Sequence, residues 1–285
     1  MDSKNHIMYI VNRYKLKLFK MKHSHYIGIT GFTKRCQVDQ LEGCLRNINE
    51  HINADMEKSN TKIMIGVLAS TSTLSGKTNR WPHLYPRVQY IGNIFKDNSR
   101  YLNLIHFNSS KKEELYIELM HLTELGGKNL HGFQLNVSWP DIDTLVKYKS
   151  AYGKMKIVLQ IGGYAFKKIN HSPSALVERL AEYSHLVDYV LLDPSGGYGR
   201  PFDPKTIIAY LEEIYSNYTI LKEMGIGIAG GFGPNDRDLD HLREVKNAGF
   251  NHLSIDAQAK ILDSNGIMNH TKAYLYIKQT HQIFY

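Results

Sequence analysis

Residues 190–203 read VLLDPSGGYGRPFD, in which an aliphatic run delivers Asp193 to its end and glycines follow at once. The aliphatic run predicts a buried strand, and the glycines allow backbone N–H groups to approach an anionic ligand closely. The alternative interpretation is a tight turn with an aspartate that caps the next helix. The candidate ligand-binding residues of this segment are Gly196, Gly197, Gly199 and Arg200.

A second strand that runs into glycines occupies residues 225–234, which read GIGIAGGFGP. In a barrel this is the position of the seventh strand, and the loops after the seventh and eighth strands commonly hold phosphate through backbone N–H groups. Gly230 and Gly231 are therefore candidate phosphate-binding residues. The spacing of Gly225, Gly227 and Gly230 also matches a dinucleotide fingerprint, but two of these glycines lie inside the strand, so we treat the match as accidental.

Outside these segments, short β-branched or aliphatic runs alternate with amphipathic stretches of helix length, which is typical of repeated βα units. A doubly wound open sheet has the same alternation, and the motifs rather than the periodicity favour a (β/α)8 TIM barrel. The predicted strands are residues 26–30, 63–68, 102–107, 132–137, 156–161, 189–192, 225–229 and 252–255. The predicted helices are residues 38–51, 111–125, 141–149, 174–186, 204–224, 236–248 and 269–282.

The predicted barrel accounts for residues 23–285 as one domain, and residues 1–22 form a basic N-terminal extension. A length of 285 residues suits one barrel, although it also suits two small domains. The long connection at residues 69–101 follows the second strand, and we predict that it is an active-site loop.

Lysine and arginine residues give the chain a formal net charge of +8 and are spread along it. A dispersed positive field favours a small anionic substrate, such as a phosphosugar, over nucleic acid, which needs a basic stripe with exposed aromatic residues. Cys36 and Cys44 are the only cysteines and match no metal-ligand spacing, so we expect neither a disulfide nor a metal site. No apolar stretch is long enough to span a membrane and no signal peptide is recognised, so we expect a cytoplasmic protein, either a monomer or a homodimer.

The motifs along the chain resemble those of the phosphoribosylanthranilate isomerase (TrpF-like) family of tryptophan biosynthesis, within the phosphate-binding TIM-barrel superfamily. Residues 29–33, ITGFT, match the family's first-strand pattern I-C-G-x-T, and residues 134–136, QLN, partly match its fourth-strand pattern Q-L-H-G. The family's sixth-strand pattern, L-D followed by G-G-S-G-x-x-F-D, is matched by residues 192–193 and 196–203. Its seventh-strand run A-G-G-L appears as AGGF at residues 229–232.

The resemblance implies an isomerisation that opens a ribose ring without a metal or an organic cofactor. In the family, an aspartic acid on the sixth strand protonates the ring oxygen, and a cysteine on the first strand removes a proton from the neighbouring carbon. Asp193 occupies the position of the acid. Thr30 stands where the family has its cysteine, and a threonine hydroxyl is too weakly acidic to serve as a simple base. His106 is an alternative base, or else a structural hydrogen-bonding residue.

Three further positions are expected to bind substrate. Asp256 on the eighth strand lies near the family's phosphate-binding run, although its negative charge would repel a phosphate unless a cation compensates. Arg87 is the nearest match to the family's arginine that holds the anthranilate carboxylate, or else a solvated loop residue. Gln134 lies near a strand end, where it would bind a ligand hydroxyl or belong to a polar layer inside the barrel.

Three hypotheses about function follow from the sequence. The first is an enzyme like phosphoribosylanthranilate isomerase, with Asp193 as the general acid and the glycine loops around a phosphosugar. The second is a divergent barrel enzyme that acts on another phosphosugar or carbohydrate, which would explain Thr30 and Asp256. The third is a barrel that binds a ligand without catalysis.

Overall fold

The predicted strands form a closed parallel barrel in the computed structural model of the chain. Each strand pairs in parallel with the next in sequence, and the eighth pairs with the first. This closure decides between the barrel and the open sheet, so the (β/α)8 TIM barrel is confirmed. The strands are β1 Tyr26–Thr30, β2 Lys62–Ser70, β3 Tyr101–Asn108, β4 Gly132–Leu135, β5 Lys156–Gly162, β6 Tyr189–Asp193, β7 Gly225–Ala229 and β8 Ser254–Ala257.

The structure describes residues 23–46, 56, 58–195, 203–221 and 224–284. The basic extension at residues 1–22 therefore lies outside the described residues. So do four predicted ligand-binding residues of the segment after β6, namely Gly196, Gly197, Gly199 and Arg200.

Helices lie between the strands, as the alternation predicts. Those in the described ranges are α1 Arg35–Arg46, α2 Thr71–Leu74, α3 Ile91–Ile94, α4 Leu115–Gly126, α5 Ile142–Ala151, α6 Gly163–Lys168, α7 Pro173–Ala181, α8 Pro204–Ser216, α9 Tyr218–Leu221, α10 Asp240–Asn247 and α11 His270–Phe284. Short 3-10 turns are found at Pro82–Leu84, Val88–Tyr90, Lys112–Glu114, Asp236–Leu239 and Ala259–Ile261. None of the described helices is long and apolar enough to cross a membrane.

Two helices begin with a capping side chain followed by proline. The Ser172 side chain accepts a hydrogen bond from the backbone N–H of Ala175 at the start of α7. The Asp203 carboxylate accepts from the backbone N–H groups of Lys205 and Thr206 at the start of α8. Proline is tolerated next to such a cap because its missing N–H would have no partner in the first turn.

Alternate residues of each strand face the inside of the barrel. The outward residues, such as Ile27 and Ile29, join the large core between the barrel and the helices. A separate apolar cluster fills much of the interior and consists of Tyr26, Met64, Leu102, Leu104, Val158, Tyr189, Leu191 and Ala229. Toward the carboxyl ends, inward positions on β1, β3, β4, β5, β6 and β8 carry polar side chains instead.

The long connection between β2 and β3 begins at the carboxyl end of β2 and folds back on itself. Ser70 caps α2, and its hydroxyl also donates a hydrogen bond to Asn79 at 2.5 Å. Further along, the His83 ring lies so close to Gly266 that a Cβ built on this glycine would be 2.4 Å from Nε2 of His83. Because Gly266 follows β8, the connection reaches past β1 along the carboxyl-end face of the barrel, where we predicted an active-site loop.

Several predicted boundaries differ from the structure. The fourth strand ends at Leu135 rather than at residue 137, and Trp139 just beyond it has a φ of 50°, which turns the chain away from the sheet. The helix predicted at residues 204–224 is divided at Asn217, whose backbone N–H bonds to carbonyls of α8 and ends that helix. Strand β2 is longer than predicted because its pairing with β3 extends to Ser70 opposite Asn108.

Candidate active site at the carboxyl ends of the strands

Six inward-facing polar side chains meet near the carboxyl ends of the strands, and we call them the polar layer. All six belong to residues that are less than a tenth exposed. Each occupies an inward position because its neighbours in the strand pack outward against the helices. The polar layer consists of Thr30 on β1, His106 on β3, Gln134 on β4, Gln160 on β5, Asp193 on β6 and Asp256 on β8.

Hydrogen bonds link two carboxyl groups of this layer through two glutamine amides. The Gln134 Nε2 group lies 3.0 Å from Oδ2 of Asp256 and donates to it. The same nitrogen lies 3.2 Å from Oε1 of Gln160. The Gln160 Nε2 group then donates to Oδ2 of Asp193 at 2.8 Å. Three of the predicted site residues, Gln134, Asp193 and Asp256, are thus brought together inside the barrel.

Asp193 accepts a second hydrogen bond from a residue that the sequence analysis missed. The hydroxyl of Ser195 donates to Oδ1 of Asp193 at 2.5 Å. Hydrogen bonds donated to a carboxylate stabilise its charged form. The bonds from Ser195 and Gln160 therefore favour an ionised Asp193. The signal in the sequence was a hydroxyl residue two positions beyond the aspartate that ends a strand.

The Asp256 carboxyl has a different environment. Burial raises the pKa of Asp256 to about 7, the hydrogen bond from Gln134 opposes this rise, and the negative charge of Asp193 adds to it. One of its two oxygens, Oδ1, has no hydrogen-bond partner among the described residues. Asp256 therefore holds its proton up to about pH 7, and the negative charge of Asp193 is one cause of this.

His106 contacts the layer through Nδ1, which lies 3.3 Å from Nε2 of Gln134. Burial lowers the pKa of His106 to about 4. The imidazole is therefore neutral at physiological pH and a weak base. Of the two roles that the sequence left open for His106, this environment favours structural hydrogen bonding over catalysis as a base.

Thr30 lies beside Asp256, because β1 and β8 close the barrel. A Cβ built on Gly66, the partner of Thr30 in β2, would be 2.5 Å from Oγ1 of Thr30, so the hydroxyl fills the space that this glycine leaves. The hydroxyl lies close enough to the Asp256 carboxyl for a hydrogen-bond interaction that lowers the pKa of Asp256, although this contact does not have the geometry of a well-formed hydrogen bond.

The glycines after β7 have backbone conformations that explain their identity. Gly230 has a φ of 137° and Gly231 a φ of 71°, which residues with a Cβ rarely adopt. An ion pair between Asp238 and Lys260 joins the loops after β7 and β8. Gly233 leaves room for this pair, since a Cβ there would be 2.6 Å from Oδ2 of Asp238. The ion pair therefore occupies the region in which we predicted a phosphate site.

Arg87 is exposed in the connection after β2, directly before the 3-10 turn at Val88–Tyr90. Within the part of the chain that the structure describes, no hydrogen bond or ion pair joins its guanidinium to the polar layer. The described residues also contain no group of three or more His, Cys, Asp or Glu side chains arranged to hold a metal ion.

No protein-family model matches the chain, and no curated protein has a matching sequence. Among solved structures, the fold is similar to that of TrpF from Jonesia denitrificans, with a TM-score of 0.54, 12% sequence identity, and coverage of 91% of this chain and 98% of that chain. It is also similar to the catalytic domain of a hyperthermophilic chitinase from Pyrococcus furiosus, with a TM-score of 0.51, 12% identity, and coverage of 93% and 97%. At such identities the similarity shows a shared TIM-barrel fold.

Proposed function

We propose that the chain is an isomerase that transfers protons on a phosphorylated sugar, and that its substrate is phosphoribosylanthranilate. The observation that carries the proposal is the pair of buried carboxyl groups, Asp193 and Asp256, which a chain of hydrogen bonds joins at the carboxyl ends of the strands and of which Asp256 has a raised pKa. An aldose-ketose isomerisation needs one group that gives a proton and another that takes one. The pair supplies both functions although Thr30 replaces the cysteine of the resembling family.

The hydrogen bonds suggest which carboxyl has which role. Asp256 keeps its proton up to about neutral pH and gives it to the ring oxygen as the ring C–O bond breaks. The ring-opened, protonated imine then loses the proton of carbon 2 to Asp193, which gives a neutral enolamine. Asp193 returns its proton to carbon 1 while the hydroxyl on carbon 2 gives its proton to Asp256, so the aminoketose forms and both carboxyl groups regain their starting states. The family resemblance assigns the acid role to Asp193, whereas this proposal gives the acid role to Asp256 and the role of base to Asp193.

The phosphate end of the substrate faces the loops after β7 and β8 in this proposal. Gly230 and Gly231 present backbone N–H groups in conformations that glycine adopts easily. Lys260 supplies a positive charge, which Asp238 neutralises while no ligand is bound. Lys260 is thus the compensating cation that phosphate binding near Asp256 requires.

Turnover of freshly generated phosphoribosylanthranilate tests the proposal, followed through the loss of anthranilate-type fluorescence. Wild-type protein is expected to show turnover without added metal or organic cofactor. The Thr30→Cys variant is measured beside it, because it restores the cysteine of the resembling family. Activity that appears only in Thr30→Cys would reject the substrate for the natural chain and retain the fold and the position of the site.

A second candidate is an isomerase for a different phosphosugar, and Thr30 is the observation that favours it. A barrel that has exchanged the family's base for a threonine has changed the chemistry next to carbon 2 of the sugar. Under this candidate, wild-type protein is inert on phosphoribosylanthranilate, but another phosphosugar raises its melting temperature, because ligand binding stabilises the folded state. If no phosphorylated ligand raises the melting temperature, the chain is neither enzyme.

A further inference from the structure

Three oxygen atoms in the polar layer have no hydrogen-bond partner of good geometry among the described residues. They are Oγ1 of Thr30, Oε1 of Gln134 and Oδ1 of Asp256. The three residues are only 1%, 1% and 5% exposed, so bulk water does not satisfy these atoms in the structure. Buried polar atoms are nearly always hydrogen-bonded, so three such atoms in one place offer hydrogen bonds to a polar group of a bound ligand.

The three atoms lie together because two glycines leave space inside the barrel. Gly28 on β1 is paired with Asp256 on β8, and a Cβ on this glycine would be 2.8 Å from Oδ1 of Asp256. Gly66 leaves the corresponding space for Oγ1 of Thr30. The amide of Gln134 reaches the same place from β4, since its nitrogen bonds the other oxygen of Asp256 at 3.0 Å.

The chemistry of the three groups selects one kind of ligand atom. A sugar hydroxyl donates one hydrogen bond and accepts others, whereas a phosphate oxygen mainly accepts. The amide oxygen of Gln134 only accepts, and the Thr30 hydroxyl and a protonated Asp256 both donate. An ionised phosphate oxygen at this place has no proton for the amide oxygen of Gln134, whereas a hydroxyl donates one and accepts from the other two groups. The set therefore matches a neutral hydroxyl.

We propose that Thr30, Gln134 and Asp256 form a subsite for the hydroxyl on carbon 2 of a pentose. The inference deepens the proposed function and rests on it for the identity of the sugar, because carbon 2 is the carbon that loses its proton to Asp193. It gives Thr30 a role in binding and moves the predicted contact of Asp256 from the phosphate to the sugar.

Calorimetric titration of the full chain with ribose 5-phosphate and with 2-deoxyribose 5-phosphate tests the subsite. Wild-type protein is expected to bind the ribose compound at least about tenfold more tightly, because the deoxy compound leaves the buried oxygens unpaired. In Thr30→Val this preference shrinks through weaker binding of the ribose compound. In Thr30→Ser, which keeps the hydroxyl, most of the preference returns.

Thr123→Val is the matched control, because it also removes a buried threonine hydroxyl. The hydroxyl of Thr123 bonds to Tyr148 at 2.7 Å between α4 and α5, outside the polar layer. This variant is expected to lose thermal stability and to keep the sugar preference of wild type. If Thr123→Val and Thr30→Val lose the preference for ribose 5-phosphate equally, general destabilisation explains the effect. That result would overturn the subsite.

The remaining outcomes separate the subsite from the proposed function. Equal binding of both phosphosugars by wild type overturns the subsite and leaves a phosphosugar enzyme. If neither phosphosugar binds, D-ribose and 2-deoxyribose are titrated next. A preference for D-ribose then supports the subsite and rejects the phosphosugar function, and no binding of either sugar rejects both.

Discussion

Asp193 and Asp256 are joined inside the barrel by a chain of hydrogen bonds, although they lie on strands that are not neighbours. The amide of Gln160 bonds to Asp193 at 2.8 Å, and the amide of Gln134 bonds to Asp256 at 3.0 Å. Because the two amides also bond to each other, each carboxyl is held in a fixed orientation by groups that cannot ionise. The raised pKa of Asp256 therefore arises mainly from its burial, to which the negative charge of Asp193 adds.

The first prediction concerns the pH dependence of the reaction. If Asp256 gives the proton that opens the ring, it must be protonated, and its pKa is about 7. The value of kcat/KM is then expected to fall about tenfold per pH unit well above pH 7. A profile that instead rises through pH 7 would assign the role of base to Asp256 and return the acid role to Asp193, as the family resemblance implies.

The second prediction concerns stability. The Asp256 pKa is about 7 in the folded chain and near 3.8 in the unfolded chain, so between these values the folded state holds a proton that the unfolded state has lost. This contribution to stability is present at low pH and is lost as pH rises toward 7, by at most about 4 kcal/mol for about three pKa units. Relative to wild type, Asp256→Asn is therefore expected to gain stability between pH 4.5 and pH 8. Urea unfolding at the two pH values measures this, and identical pH dependence in both proteins would contradict the raised pKa.

The third prediction concerns the opposite end of β6. Asp188 accepts hydrogen bonds from Lys149 at 3.0 Å, from Lys156 at 2.8 Å and from the backbone N–H of Ile157 at 3.0 Å. Burial raises its pKa, but these groups together lower the pKa of Asp188 below its ordinary value. Asp188→Asn leaves two lysines without their shared partner and is expected to cost about 2 kcal/mol of unfolding free energy. Ligand binding at the other end of the barrel should remain unchanged, and lost binding would contradict this separation of stability from function.

The fourth prediction compares two glycines. A Cβ on Gly66 would be 2.5 Å from Oγ1 and 2.9 Å from Cα of Thr30, so Gly66→Ala must displace β1 at the site. We expect a loss of about 1–3 kcal/mol and weaker ligand binding. Gly43 lies inside α1 with no atom within 4 Å of its added Cβ, and Gly43→Ala is expected to stabilise the helix by about 0.5–1 kcal/mol. Chemical denaturation measures the free energy of unfolding of both variants. An unchanged value for Gly66→Ala would contradict the claim that this glycine makes room for Thr30.

The fold was predictable because each strand carries its signal locally. Aliphatic runs marked the strands, and the glycine segment after residue 193 together with Gly230 and Gly231 favoured the barrel over the open sheet. The boundaries were less predictable because they depend on partners elsewhere in the chain. Strand β2 continues to Ser70 only because Asn108 of β3 lies beside it.

Most residues of the polar layer were named from the sequence one at a time, but the hydrogen bonds that join the layer were not. Gln134 and Asp256 are 122 positions apart in sequence, and their contact exists only because the closed barrel brings β4 and β8 to face each other across its interior. The raised pKa of Asp256 likewise depends on burial, which no local motif records. Arg87 was chosen from a displaced motif, and its role in holding a carboxylate stays a prediction.

The most direct test of the proposed function compares the turnover of phosphoribosylanthranilate by two variants. They carry the same chemical change at opposite ends of β6. Asp193→Asn removes the proposed base at the carboxyl end of β6, and Asp188→Asn alters the residue directly before its amino end. We predict that Asp193→Asn loses at least about a hundredfold in kcat while it remains folded, and that Asp188→Asn keeps wild-type turnover. Normal turnover by a folded Asp193→Asn variant would contradict the central claim that the two buried carboxyl groups perform the proton transfers.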